Sequence, residues 1–180
     1  PMQPVLPRRR GPLCDALFAR WCDEASLAPP MIAGIDPLID DDLHTALWCC
    51  YQLHFGGFAD VDDRMEWDGP TLAFRAELEA AFEGALLDEH RAASVPRDPV
   101  TALRVIAAQA GPPLAAFIEE RGDRWHLEEY AIHRSAYQLK EADGHTFALP
   151  RLRGPGRAAM VEIQADEYGM GRAGEAHSEL

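Results

Sequence analysis

The sequence has little positive charge for its size, since 17 Lys and Arg residues stand against 30 Asp and Glu residues, a formal net charge of −13 at pH 7. Nucleic acids and anionic membrane surfaces attract basic faces, so this balance argues against both as partners. Apolar runs are also short, and none approaches the roughly 18 residues that span a bilayer. The first residues lack the apolar core of a secretory signal. We therefore expect a cytoplasmic protein that binds neither nucleic acid nor membrane.

Cysteine is scarce, and no CxxC pair occurs among the four cysteines, Cys14, Cys22, Cys49 and Cys50. The vicinal pair Cys49–Cys50 would form a strained bridge, whereas Cys14 and Cys22 can share the inner face of a helix. Reduced and mostly buried thiols are typical of the cytoplasm, and this spacing does not favour a zinc site.

Several catalytic motifs are missing as well. The sequence contains no GxSxG nucleophile elbow, no phosphate-binding glycine loop, no HExxH, and no Glu-x-x-His repeat of ferritin-like bundles. The acidic segment from Asp60 to Glu66 is a poor calcium loop, because it lacks the central glycine and places Arg64 at a ligand position. The sequence therefore gives no motif that supports these enzyme classes, and the calcium loop is rejected.

What is present is hydrophobic periodicity of the helical kind along almost the whole chain. It predicts one all-α domain over residues 12–180, preceded by a disordered Pro/Arg-rich arm at 1–11. Helices are expected over about 12–27, 37–55, 70–92, 98–110, a short segment ending near 121, 124–142 and 156–169. Asp98-Pro99 is a typical N-cap and N1 pair. HTFALPRLRGPG is expected to be a loop, because Pro150 and Pro155 interrupt it.

Carboxylates and imidazoles concentrate in the last third of the chain, within otherwise apolar helical patterns. Buried ionisable groups are costly unless they are paired or bound to a metal. We therefore expect a cation site formed from among Glu141, His145, Glu162, Asp166, Glu167 and His177.

Within this group, Glu167 and His177 are the strongest candidates. Glu167 continues an apolar helical stripe, and His177 follows ten residues later, beyond a glycine-rich bend. Carboxylate and imidazole together suit Fe(II). The alternative for Glu167 is a core carboxylate paired with Arg157 or Arg172. For Glu129 and His133, one helical turn apart, a solvated surface pair is favoured over a role as ligands.

IHRSAYQLKEADGHTFALPRLRG and VEIQADEYGMGRAGEAHSEL resemble sequences of the bacterial iron-containing redox enzymes, in the heme-oxygenase-like diiron oxidase and oxygenase superfamily. YQLHFGGFADVDDRMEWD is similar to the same family, so the resemblance extends over most of residues 38–180. It implies an all-α, heme-oxygenase-like helical bundle. It also implies that this chain is the amino-terminal portion of such a bundle, incomplete at its C-terminal end.

The resemblance also implies ligands and chemistry. Glu167 and His177 correspond to the Glu and His of the first metal-binding helix, Glu141 to an additional carboxylate of some diiron members, and Asp166 to a replacement for Glu167 if the register shifts by one. The remaining ligands would come from a complementing C-terminal chain or a homodimer. The intact enzyme would use one or two Fe(II) ions and O2 on a small organic substrate.

Two other functions stay open. The chain is alternatively a non-catalytic helical interaction module or an inactive truncated fragment, in which case it would take up no iron. Haem binding through a single histidine, as in heme oxygenases themselves, is a weaker hypothesis because it leaves the carboxylates without a role.

Overall fold

The computed structural model describes residues 3–90, 96–109, 111 and 113–179. No strand occurs in these ranges, which confirms the all-α class. The α-helices there are α1 (Pro12–Asp23), α2 (Asp41–Phe55), α3 (Gly69–His90), α4 (Pro99–Ala107), α5 (Leu114–Arg121), α6 (Arg124–Gln138), α7 (Glu141–Ala148) and α8 (Gly154–Glu167). Short 3-10 helices cover Asp63–Trp67, Leu149–Arg151, Gly169–Gly171 and His177–Glu179. None of the helices so described is long and apolar enough to cross a membrane.

The chain divides into two compact units, Pro1–Val95 (unit 1) and Pro96–Leu180 (unit 2). The sequence predicted a single helical domain from residue 12 onward. Helical periodicity identifies apolar faces but does not say which faces pack together, so a division between two sets of helices was not visible in the pattern.

Unit 1 has a well-packed core between α1, α2 and α3. The helical stripes of α1 and α2 explain it, because their apolar residues recur every three or four positions and so share one face. Its buried apolar members are Leu13, Cys14, Leu17, Phe18, Trp21, Leu43, Ala46, Leu47, Cys49, Cys50, Leu53, Phe58, Met65, Phe74 and Leu78. The ring of Trp21 lies 5.8 Å from that of Phe18 and 6.2 Å from that of Phe58, between ring centroids.

The start of α1 is capped by a residue of α2. Gly11 is the N-cap and has no side chain to offer. The buried carboxylate of Asp42 takes its place: Oδ2 accepts a hydrogen bond from the Leu13 N–H at 2.7 Å, and Oδ1 accepts one from the Cys14 N–H at 3.0 Å. Two N–H groups that a helix start leaves without partners are thereby satisfied, and α1 is tied to α2.

The start of α3 is held by a second polar network. Asp68 accepts hydrogen bonds from the Thr71 N–H at 3.0 Å and from the Arg20 guanidinium at 3.1 and 2.5 Å. Thr71 in turn accepts a hydrogen bond from the indole N–H of Trp21 at 3.0 Å. The Arg20 guanidinium lowers the pKa of Asp68 to about 2, because it stabilises the charged carboxylate.

The amino-terminal arm, which the sequence analysis expected to be disordered, forms hydrogen bonds with residues that follow α2. Residues 3–10 form no regular secondary structure, but they run along the segment that follows α2. The Ala59 N–H donates to the Pro4 carbonyl at 2.8 Å. The Leu6 N–H donates to Asp60 Oδ1 at 2.9 Å, and the Gln3 amide donates to the Gly56 carbonyl at 2.8 Å. Composition alone suggested disorder, whereas three hydrogen bonds join this stretch to residues 56–60.

Unit 2 lacks a comparable apolar core among its described residues. The buried apolar residues all fall between Leu13 and Leu78, whereas Leu103, Trp125 and Ile132 are 67%, 57% and 64% exposed. A buried amide instead joins α7 to α8: Gln164 Nε2 donates to the Ala142 carbonyl at 2.9 Å and to the Thr146 hydroxyl at 3.0 Å.

The predicted loop over residues 145–156 was wrong for most of its length, because only residues 152–153 lie outside a helix and α8 already begins at Gly154. The helix expected to run to residue 142 ends at Gln138, and α7 then covers Glu141–Ala148. Gly144 weakens a helix without forbidding one, so it did not break the chain where expected. The α-helix ends just before Pro150 instead, since proline cannot supply an N–H to the ladder.

Candidate metal centre

The chain reverses direction at the end of α8 through a left-handed turn. Tyr168 is the C-cap of α8, and Gly169 and Met170 have φ angles of 62° and 53°. A Cβ on Gly169 would lie 2.5 Å from backbone atoms of Glu175. Glycine is therefore required at this position, and the close approach brings the residues that follow back beside the end of α8.

This turn places Glu167 and His177 together, as the sequence analysis predicted for a shared site. Glu167 Oε2 and His177 Nδ1 are 3.0 Å apart, and the two side chains are 21% and 43% exposed. Oε2 is itself buried, yet it accepts no hydrogen bond. The distance alone suggests a hydrogen bond, but the ring N–H is not aimed at the oxygen. Glu167 Oε2 and His177 Nδ1 are therefore adjacent without a hydrogen bond between them.

The alternative partners of Glu167 are occupied elsewhere. The Arg172 Nε lies 2.6 Å from Glu175 Oε2. The Arg157 Nε donates to the Leu152 carbonyl at 2.7 Å. The ion pairs that would have made Glu167 a purely structural carboxylate are therefore not formed.

The second ring nitrogen of His177 contacts α6. His177 Nε2 lies 3.0 Å from Gln138 Nε2. The Gln138 Oε1 in turn accepts a hydrogen bond from Arg134 at 2.7 Å. A chain of three polar side chains thus runs from α6 to the candidate ligand.

Glu141 lies near this pair but is bound to a different group. Its Oε1 accepts a hydrogen bond from the Tyr137 hydroxyl at 2.7 Å. The Glu141 carboxylate raises the pKa of Tyr137, and the charge of Glu167 adds to the effect, because both disfavour a tyrosinate. Glu141, Glu167 and His177 line one small crevice.

Asp166 lies next to Glu167 and lines a second cavity. It is exposed. It lines a cavity of about 290 Å³ together with Glu167, Arg172, Glu175 and His177. If Asp166 replaced Glu167 as a ligand, the carboxylate would line the same cavity but would be in contact with solvent.

The other candidates are dispersed. Glu162 is exposed, and His145 is half-buried with a buried Nδ1 that has no hydrogen-bond partner. Glu129 and His133 form an exposed pair at 3.4 Å, the arrangement favoured from the sequence. The expectation that all these groups are buried within apolar helices is not met, because α6 and α8 are largely exposed.

The described residues place two candidate metal ligands, Glu167 and His177, next to each other and form no complete site. Within the described ranges, no group of three or more His, Cys, Asp or Glu side chains is arranged to hold a metal ion. Glu167 and His177 fit part of an iron coordination sphere, since a buried carboxylate oxygen without a hydrogen bond lies beside an imidazole nitrogen.

Sequence reasoning missed the polar side chains that surround the pair. Gln138 was not considered, although its spacing of four from Arg134 predicts contact on a helix. Tyr168 was also overlooked. Its hydroxyl donates to Asp143 Oδ1 at 2.9 Å and so connects the end of α8 to α7. Burial and this hydrogen bond raise the pKa of Tyr168, which keeps the hydroxyl a donor.

Comparison with known proteins gives a match to a family model. Residues 128–180 match the family model of iron-containing redox enzymes. This range includes Glu141, Asp166, Glu167 and His177, and it confirms the family resemblance for this part of the chain. The match does not extend to residues 38–127, where a wider resemblance was expected. No curated protein and no solved structure matches the chain.

Proposed function

We propose that unit 2 supplies part of the metal site of an iron-dependent enzyme that activates O2 and oxidises a small organic substrate. The pair Glu167–His177 carries the proposal. Both residues lie in the range that matches the iron-containing redox enzymes, and the buried Glu167 Oε2 lies 3.0 Å from His177 Nδ1 without accepting a hydrogen bond. An unpartnered buried carboxylate oxygen is costly, and a bound cation removes that cost.

Each proposed ligand has a role that follows from its position. Glu167 would bind iron through Oε2 and His177 through Nδ1, and Glu141 would contact a second ion across the shared crevice. Asp166, which lines the 290 Å³ cavity, would replace Glu167 as the ligand if the register shifts by one residue. Bound iron would supply the O2 chemistry that amino-acid side chains lack. A reducing cytoplasm suits both Fe(II) and the free thiols of the four cysteines.

The remaining ligands would come from helices of a complementing chain or of a second copy of this chain. Two ligands do not fix a metal's geometry, because affinity depends on a complete and oriented shell. Such helices would also cover the apolar side chains that unit 2 exposes, among them Leu103, Trp125 and Ile132. Sedimentation of the purified protein, with and without Fe(II), separates a second copy from a different partner.

Anaerobic Fe(II) binding tests the ligands directly. We expect Glu167→Gln and His177→Gln each to weaken iron binding by about 10-fold or more, because each removes a ligand. Glu129→Gln and His133→Gln are the matched controls, since that exposed pair has the same chemistry on α6. Equal iron content in all four variants and the wild type would contradict the assignment. Iron-dependent O2 consumption, measured with any partner that co-purifies, tests the oxidase step.

A helical interaction module is the second candidate. Two observations favour it: the described residues contain no three-ligand group, and many large apolar side chains of unit 2 are exposed. It predicts that the protein takes up no iron, alone or with a partner, and that Glu167→Gln leaves partner binding unchanged.

A further inference from the structure

The orientation of the Gln138 amide is fixed by Arg134. A guanidinium group only donates hydrogen bonds, so the Gln138 atom that lies 2.7 Å from Arg134 Nη2 must be the carbonyl oxygen. The amide nitrogen then faces His177 Nε2 at 3.0 Å. Rotating the amide by half a turn would place its NH2 group against the guanidinium, where two donors would meet.

This orientation sets the tautomer of the His177 ring. The amide N–H can only donate, so His177 Nε2 must accept and carry no proton. In the neutral ring the proton therefore lies on Nδ1, the nitrogen beside Glu167 Oε2. A nitrogen that carries a proton has no free electron pair for a metal.

We infer that Arg134 and Gln138 hold His177 in the tautomer that does not bind metal, and that rotation of the Gln138 amide accompanies metal binding at Nδ1. When Nδ1 binds a metal, its proton is released to solvent and Nε2 takes one up from solvent, so the ring stays neutral and changes tautomer. Nε2 then needs an acceptor, and the Gln138 Oε1 supplies it by leaving Arg134. Gln138 is a positioning residue, as it acts on the ligand and not on the metal.

The metal part of this inference rests on the proposed function, but the tautomer does not. Nitrogen-15 NMR of the metal-free, histidine-labelled protein identifies which ring nitrogen of His177 is protonated. We expect the Nδ1-protonated form in the wild type. Arg134→Met frees the amide and should populate the Nε2-protonated form. Gln138→Glu offers only acceptor atoms and should make that form dominant.

Arg124→Met is the matched control, because Arg124 lies on the same helix and is also paired with a residue four positions later, Glu128. It removes the same charge and should leave the tautomer unchanged. An Nε2-protonated ring in the wild type, or no change in Arg134→Met, overturns the inference.

Titration with Co(II), a spectroscopic substitute for Fe(II), adds the second readout. Arg134→Met should bind Co(II) several-fold more tightly than Arg124→Met, because rotation of the amide no longer breaks a hydrogen bond. Equal affinities would overturn the coupling between amide and metal. Tautomers as expected, with Co(II) bound by none of these proteins, would support the fixed tautomer and overturn the proposed metal site.

Discussion

Asp42 of α2 lies at the amino end of α1, where its Oδ2 accepts a hydrogen bond from the Leu13 N–H at 2.7 Å. The buried carboxylate serves as the cap that Gly11 cannot provide. We expect Asp42→Asn to lower the free energy of unfolding of unit 1 by about 2 kcal/mol, because one acceptor oxygen becomes a donor that faces another N–H. Urea denaturation followed by tryptophan fluorescence measures it. Asp41→Asn is the control, as Asp41 pairs with Arg10 on the surface; similar losses in both variants would contradict the capping role.

Gly11 is predicted to be intolerant of any side chain. A Cβ there would lie 2.7 Å from Asp42 Oδ2. Gly11→Ala should therefore displace the carboxylate and lower the free energy of unfolding by about 1–3 kcal/mol. Gly69→Ala is the control, because nothing lies within 4 Å of a Cβ at Gly69. In an Asp42→Ala background the effect of Gly11→Ala should largely disappear, and an unchanged effect would show that the steric conflict is with another group.

Asp68 should make unit 1 sensitive to acid. Its pKa is lowered from 3.8 to about 2 by the Arg20 guanidinium. A carboxyl group with a lowered pKa in the folded state binds protons more readily when unfolded, so its contribution is present above about pH 4 and is lost as the pH falls toward 2. The contribution is about 2 kcal/mol. Unfolding free energies measured across this range should fall less steeply for Asp68→Asn than for the wild type; parallel curves would contradict the prediction.

The cysteines should differ in reactivity. Cys22 is exposed, whereas Cys14, Cys49 and Cys50 are buried. Burial raises the pKa of Cys14 to about 12 and that of Cys50 to about 12, and it raises the pKa of Cys49 as well. Since the thiolate is the reactive species, iodoacetamide should modify Cys22 first in the native protein, and the others only after unfolding. Peptide mass spectrometry identifies the order in which the cysteines are modified, and early modification of Cys49 would contradict its burial.

Gly169 is predicted to be necessary for the pairing of Glu167 with His177. Gly169→Ala introduces a Cβ 2.5 Å from the Glu175 backbone, so the segment that carries His177 must move. We expect iron binding to weaken by about 10-fold or more, as for loss of a ligand. Gly171→Ala is a close control: it also has a positive φ, 77°, but nothing lies within 4 Å of its Cβ. Equal effects would point to backbone strain in place of the steric conflict.

The cap of α4 shows that a local signal is readable when the two partners are close in sequence. Asp98 caps α4 as expected, with its Oδ2 accepting the Thr101 N–H at 2.8 Å. The capping residue and its target are three positions apart, so residue type alone predicts the contact. The Asp42 cap on α1 was not foreseen, because its partners are 28 and 29 positions away.

The amino-acid sequence by itself determined the helical class and most helix positions, and it made Glu167 and His177 candidate ligands, since periodicity, caps and residue chemistry act over a few neighbours. Only the tertiary structure decided that the chain forms two units and that Glu167 and His177 meet while Glu162 and Asp166 face solvent. The contact between the Gln138 amide and the His177 ring is likewise visible only in the tertiary structure. These outcomes depend on turns and on packing between distant segments, which no local pattern specifies.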